Sequence, residues 1–134
     1  MEERRLLTPP TTKLQISAGF RQDDSAQFAV ALGPRAPTGR RFAVARLLGD
    51  YLATSDAERL LPATATKTAR QKFQRAFAQQ LLCPVDDLKA FLDTDYPNDD
   101  QIEEAASEFD VSPLLIKTTL VNQGLVDRQA LQSF

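Results

Sequence analysis

Residues 14–32 read LQISAGFRQDDSAQFAVAL and contain two short segments in which apolar residues stand at every second position. These residues are Leu14, Ile16, Ala18 and Phe20 in the first segment, and Phe28, Val30 and Leu32 in the second. A period of two is typical of half-buried β-strands. The interval from Arg21 to Ser25 has the polar composition of a turn. The stretch therefore predicts a β-hairpin.

After the Gly- and Pro-rich interval 33–39, the apolar spacing changes to that of helices. A first, largely buried helix is predicted over residues 40–53, and a second over residues 66–82 after a loop through Pro62. Thr66 or Thr68 is the expected N-cap of the second helix. The expected inward residues are Phe42, Val44, Ala45, Leu47, Leu48 and Leu52 in the first helix, and Ala69, Phe73, Ala76, Phe77 and Leu81 in the second.

Three further helices are predicted over residues 85–92, 99–109 and 112–124. Pro84 disfavours a helical conformation in the residue before it, which separates the first of these from the preceding helix. Ser112 and Pro113 have the N-cap and N1 order of a helix start, and Gly124 suits its end. The fold class is α+β, with a small antiparallel hairpin or sheet followed by about five helices. Residues 1–13 are expected to be a tail, residues 14–134 a single domain, and residues 127–134 one or two helical turns.

The composition excludes several classes of function. The chain of 134 residues contains no histidine, so it lacks the usual general base and the commonest zinc ligand. Its one cysteine, Cys83, has no second thiol for a disulfide, which fits a reducing compartment, and we expect the protein in the cytoplasm. Cys83 also lacks a histidine to activate it, and it reads as a small core residue. The apolar runs are too short for a membrane span.

The charges are divided along the chain. Residues 35–75 hold nine basic and three acidic residues, whereas residues 86–110 hold ten acidic residues and one lysine. Two solvated faces of opposite sign account for this division. Alternatively, the basic part meets an acidic partner, or the acidic part deters nucleic acid. The acidic residues Asp93, Asp95, Asp99 and Asp100 read as loop and helix N-terminal charge rather than as a cation site.

Two segments in order carry a resemblance to a known family. Residues 41–52, RFAVARLLGDYL, resemble the active-site helix of the ImmA/IrrE zinc metallopeptidases, which reads approximately R-F-x-x-A-H-E-x-G-H-x-L. Residues 75–84, RAFAQQLLCP, are similar to that family's N-x-F-A-A-x-L-L-M-P. The resemblance continues from Ile102 to Leu125 and implies a zincin-like scaffold with a helix-turn-helix-like C-terminal segment.

The resemblance also implies which chemistry is missing. Arg46 and Asp50 stand where the family has two zinc-binding histidines, and Leu47 stands where it has the glutamate that acts as general base. The region that supplies the family's third ligand reads Gln71-Lys72-Phe73-Gln74 and holds no carboxylate. A guanidinium repels a metal ion and leucine cannot accept a proton. We therefore expect no catalytic residues, no metal and no cofactor.

Arg46 and Asp50 lie four residues apart, so we expect them to form an ion pair in the vacated site, extended by Gln71 or Gln74.

A chain without catalytic residues is expected to bind a protein partner, which the resemblance implies to be a helix-turn-helix repressor or another regulator of a mobile element. The exposed edge of the hairpin could accept an extended peptide as an added strand. The alternative is a DNA-binding regulator that uses residues 102–125. The carboxylates of Glu103, Glu104 and Glu108 disfavour it because they would face phosphates.

Overall fold

The computed structural model of the chain describes residues 16–22 and 27–124. Within them it contains a three-stranded antiparallel sheet and five helices, which confirms the α+β class. The elements are β1 (Ser17–Arg21), β2 (Phe28–Ala31), α1 (Pro37–Ala53), β3 (Leu60–Ala63), α2 (Ala69–Leu82), α3 (Val85–Leu92), α4 (Asp99–Phe109) and α5 (Pro113–Asn122). None of the helices in this described part is long and apolar enough to cross a bilayer.

The contacts divide the chain into two compact units, one ending at Ala78 and the other beginning at Gln79. The prediction of one domain over residues 14–134 stays a prediction. The expected tail at residues 1–13 and the expected short helix at residues 127–134 lie outside the described residues.

The sheet has the strand order β2-β1-β3. The predicted hairpin is therefore confirmed as β1 and β2, and β1 is the central strand of the sheet because β3 pairs with its other edge. The loop predicted around Pro62 is wrong, because Leu60–Ala63 pairs with β1 as a third strand. Proline cannot donate a ladder hydrogen bond and is tolerated where a strand lies at a sheet edge. Pro62 occupies such a position, which is why a reading that treats proline as a breaker misses this strand.

Arg21 connects the sheet to the end of α1, although the sequence alone places it in a turn. It is the last residue of β1, and its Nη2 donates to the main-chain oxygens of Tyr51 (2.8 Å) and Thr54 (3.2 Å). Its Nε donates to the oxygen of Glu58 (2.9 Å), and its guanidinium lies 4.2 Å from the centroid of the Tyr51 ring. One side chain therefore holds β1, the end of α1 and the segment before β3 together.

The prediction that α1 is largely buried is wrong for one of its faces. Leu47 and Ala45 are buried as expected, but Val44, Leu48 and Leu52 are exposed. The face that α1 turns to α2 includes Gly49, where an added Cβ would lie 2.6 Å from Cδ1 of Phe77. A small residue is required at this close approach. Glycine thus contributes to the packing of α1 where the sequence pattern suggested larger apolar residues.

The second unit is a helical assembly whose main core is formed by apolar side chains of α3, α4 and α5. The largest of them are Leu88, Ile102 and Ile116, each at most 1% exposed. Ser112 Oγ accepts a hydrogen bond from the main-chain nitrogen of Leu115 (3.1 Å), and Gly124 has a φ of 69° just after α5. The predicted start and end of this helix are therefore confirmed.

Candidate functional site

The candidate site lies where α1 and α2 meet beside β3, and its residues all belong to the first unit. α1 presents Arg46 and Asp50 one turn apart toward α2. The carboxylate of Asp50 is 1% exposed and accepts from Arg70, with Nε–Oδ1 at 2.9 Å and Nη2–Oδ2 at 2.6 Å. The expected pairing of Asp50 with Arg46 is wrong, because the fork of the Arg70 guanidinium on α2 matches both carboxylate oxygens.

Arg46 bonds to neutral partners instead. Its Nη2 donates to Oε1 of Gln71 (2.6 Å) and to the main-chain oxygen of Thr64 (2.8 Å). The expected extension of the site by Gln71 is thus confirmed. Burial, followed by the like charge of Arg75, lowers the pKa of Arg46 to about 10, and the charge of Asp50 partly opposes this. Arg46 therefore keeps its positive charge at neutral pH.

Two glutamine side chains of α2 occupy the outer edge of β3. The main-chain oxygen of Pro62 accepts from Nε2 of Gln71 (2.8 Å) and from Nε2 of Gln74 (2.9 Å). The main-chain nitrogen of Thr64 donates to Oε1 of Gln71 (2.8 Å). An open strand edge offers unpaired main-chain groups to another chain, and these contacts remove that possibility at β3. The other edge strand of the described sheet is β2.

The second helix buries a polar face. Gln71 and Gln74 are 4% and 0% exposed, whereas Phe73, expected to point inward, is 46% exposed. The inward face predicted for α2 is therefore wrong, since the glutamines that bond to β3 take the position expected for apolar residues.

Thr68 is confirmed as the capping threonine, because its Oγ accepts from the main-chain nitrogen of Gln71 (3.3 Å). Two buried atoms of the site, Nε of Arg46 and Oε1 of Gln74, have no hydrogen-bond partner among the described residues.

These side chains do not fit a zinc ion. Leu47, at the position where the resemblance would place a general base, is 0% exposed and belongs to the apolar core. Asp50 offers the site's one carboxylate, and both of its oxygens already bond to Arg70. Zinc in proteins takes thiolate, imidazole or carboxylate ligands, and Arg46 and the two glutamines supply none of these. Within residues 16–22 and 27–124, no three cysteine, aspartate or glutamate side chains are grouped as metal ligands.

The remaining candidates lie in the second unit. Cys83 is 0% exposed, which confirms it as a core residue, and burial, followed by the charge of Asp87, raises the pKa of its thiol to about 11. Thiolate is therefore scarce at neutral pH.

Asp93 and Asp95 line an open cleft together with Lys89 and Leu92. Asp99 and Asp100 lie in the first turn of α4, where acidic residues stabilise a helix.

The helix-turn-helix spacing predicted at residues 102–125 is present as α4, a short turn and α5. Asp110, at the end of α4, has a φ of 55°, and Ser112 begins the next helix. Glu103, Glu104 and Glu108 are exposed on α4, and α5 carries a single basic residue, Lys117. The order and spacing of the elements match a helix-turn-helix, but the charge of the two helices is the opposite of what phosphate contact requires.

Sequence reasoning missed two components of the site. No periodic pattern points to Arg70 as the partner of Asp50, although Arg70 directly precedes Gln71. The main-chain groups of Pro62 and Thr64 were missed because β3 was missed. The available signal was the pair of glutamines three residues apart on α2, a spacing that places both amides on one helical face.

Comparisons of this chain with family models, with curated proteins and with solved structures gave no match.

Proposed function

We propose that this protein is a catalytically inactive relative of the ImmA/IrrE metallopeptidases, with a zincin-like scaffold, that acts in the cytoplasm by binding protein. The partner class we propose is a helix-turn-helix repressor or another regulator of a mobile element, which is the class that the resemblance implies. The observation that supports the loss of catalysis is the ion pair between Asp50 and Arg70. It engages both oxygens of the site's one carboxylate, and the positive charge of the guanidinium disfavours a metal ion beside it.

The buried contacts indicate that the site now has a structural role. Gln71 and Gln74 bond to β3, and Arg46 bonds to Thr64 directly after it, so these side chains fasten the edge of the sheet to two helices. Removing a charged or amide group from such a network leaves its partners buried and unpaired, which is costly. A contribution to stability is therefore a sufficient role for these residues, and no reaction is required of them.

Zinc binding provides the first test. We expect the wild-type chain to retain no stoichiometric zinc after incubation with the ion and dialysis, measured by elemental analysis. A variant with Arg46→His, Asp50→His and Gln71→Glu supplies three ligands from two helices and is expected to retain about one equivalent of zinc. Stoichiometric zinc in the wild type would contradict the loss of the site. A folded triple variant without zinc would argue against the zincin-like scaffold.

Protein binding requires a separate experiment. The tagged chain is used to capture partners from its native host, and each complex is then reconstituted from purified components. Recovery of a helix-turn-helix protein that forms a stoichiometric complex supports the proposal. If no captured protein re-forms a complex, a binding function is ruled out for the conditions of the host. A gel shift with non-specific duplex DNA at low salt addresses the alternative, and a clear shift would favour DNA binding by residues 102–125.

A further inference from the structure

Two arginine side chains bond to the short segment that joins β3 to α2, and a lysine lies close to one of them along α2. Arg46 and Arg75 both donate to the main-chain oxygen of Thr64, from Nη2 at 2.8 Å and from Nη1 at 3.4 Å. Arg75 also donates through Nη2 to the oxygen of Thr66 (2.9 Å). Lys72 is exposed and lies three residues before Arg75 on α2, so the two side chains share a helical face. We call Arg46, Lys72 and Arg75 the cationic cluster.

Carboxylates do not neutralise the cationic cluster within the described part of the chain. The charge of Asp50 acts on Arg46, but the oxygens of Asp50 bond to Arg70. Glu58 likewise contacts Arg70, with Nη1–Oε2 at 3.4 Å. The described residues of the first unit carry ten arginines and lysines against three carboxylates. Two guanidinium groups on one carbonyl repel each other, and a bound anion would relieve this repulsion.

The chain offers hydrogen-bond donors for an anion at this place. Each guanidinium has five N–H donors, and the bonds of Arg75 to Thr64 and Thr66 occupy two of them. The hydroxyls of Thr64 and Thr66 lie 2.9 Å apart at the same segment, and Thr66 is exposed. Guanidinium groups with free N–H pairs match the two oxygens of a carboxylate.

We propose that the cationic cluster is a docking site for an acidic segment of a partner protein, whose carboxylates bind Arg75 and Lys72, while the positive charge of the half-buried Arg46 adds to the attraction. This inference rests on the proposed protein-binding function and names the chemistry of the contact. An acidic segment fits better than nucleic acid because the whole chain has a net charge of −2 and gives a long polyanion no overall attraction. A short acidic segment needs only the local positive charge.

Fluorescence anisotropy with a short, capped, labelled peptide that alternates glutamate and serine tests the site. We expect measurable binding at low salt that weakens as salt is added. The double variant Lys72→Glu and Arg75→Glu is expected to bind roughly tenfold more weakly, since two favourable charge contacts become repulsive. The control is Arg35→Glu, which reverses one charge at an exposed position in the loop before α1, as the single variant Lys72→Glu does on α2, and is expected to bind like the wild type in moderate salt.

Thermal melts establish that the variants are folded, and if Arg75→Glu unfolds the chain, the single exposed change Lys72→Glu replaces the double variant. Absence of peptide binding, or equal weakening by Arg35→Glu, would overturn the proposal. Equal or tighter binding of a single-stranded oligonucleotide with the same dependence on Lys72 would reassign the site to phosphates and also overturn it. A host partner that binds the wild type and the double variant with equal affinity would refute docking at the cationic cluster, while the proposed protein-binding function would still hold. A chain that binds no host partner refutes that function itself.

Discussion

Replacing Leu47 by alanine is expected to lower the free energy of unfolding by about 3 kcal/mol. Leu47 is 0% exposed and is among the largest fully buried side chains of the chain. Its removal loses the transfer free energy of the side chain and leaves a cavity that its neighbours fill only in part. Leu47→Glu is expected to be more damaging because it buries a carboxylate without a partner.

The neighbouring residue provides the control for this prediction. Leu48 lies on the same helix but is 40% exposed, so Leu48→Ala is expected to cost less than about 1 kcal/mol. Urea denaturation followed by circular dichroism compares the three variants with the wild type. Equal losses for Leu47→Ala and Leu48→Ala would show that Leu47 does not lie in the core. A stable Leu47→Glu variant would mean that a glutamate at this position finds a partner.

Replacing Arg70 by alanine is expected to lower the free energy of unfolding by about 3 kcal/mol, and Asp50→Ala is expected to cost less. The order follows from exposure: the carboxylate of Asp50 is 1% exposed, whereas the side chain of Arg70 is 33% exposed. Loss of Arg70 leaves a buried charge without its partner. Loss of Asp50 leaves a guanidinium that can turn toward water.

A double-mutant cycle makes this order a strict test. The combined variant Asp50→Ala and Arg70→Ala is expected to be no less stable than Arg70→Ala alone, because it also removes the Asp50 carboxylate that Arg70→Ala leaves buried without a partner. Asp56→Ala is the control, since the Asp56 side chain is fully exposed although it lies 3.6 Å from Arg21, and we expect no measurable change in the thermal midpoint. Strict additivity of the two single losses would show that Asp50 and Arg70 do not interact.

The sequence was sufficient for the elements whose local pattern is unambiguous. The hairpin follows from alternation. Helices α3, α4 and α5 follow from apolar spacing together with Pro84, Ser112 and Gly124, which mark boundaries by their own backbone preferences. In these places local propensity and tertiary packing favour the same structure, so the prediction needs no knowledge of the neighbouring elements.

The candidate site shows where such reasoning stops. The spacing of Arg46 and Asp50 correctly places them on one face of α1, but the partner of each depends on how α2 lies against α1. That alignment depends on Gly49, whose close contact with Phe77 cannot be read from a periodic pattern. The buried face of α2 was missed for a related reason. Gln71 and Gln74 are buried because they satisfy main-chain groups of β3, and hydrophobicity alone gives no signal of that requirement.

The central position of β1 has a consequence for the order of folding. Its pairing with β2 joins residues close in sequence, such as Arg21 and Phe28, whereas its pairing with β3 joins Gly19 to Leu61, about 40 residues away. Closing the longer loop has a larger entropic cost, and non-local pairings of this kind slow the folding of small proteins. We therefore expect the hairpin to form early and β3 to join it only after α1 has folded, with the contacts of Arg21 to Tyr51 and Thr54 completed in that late step.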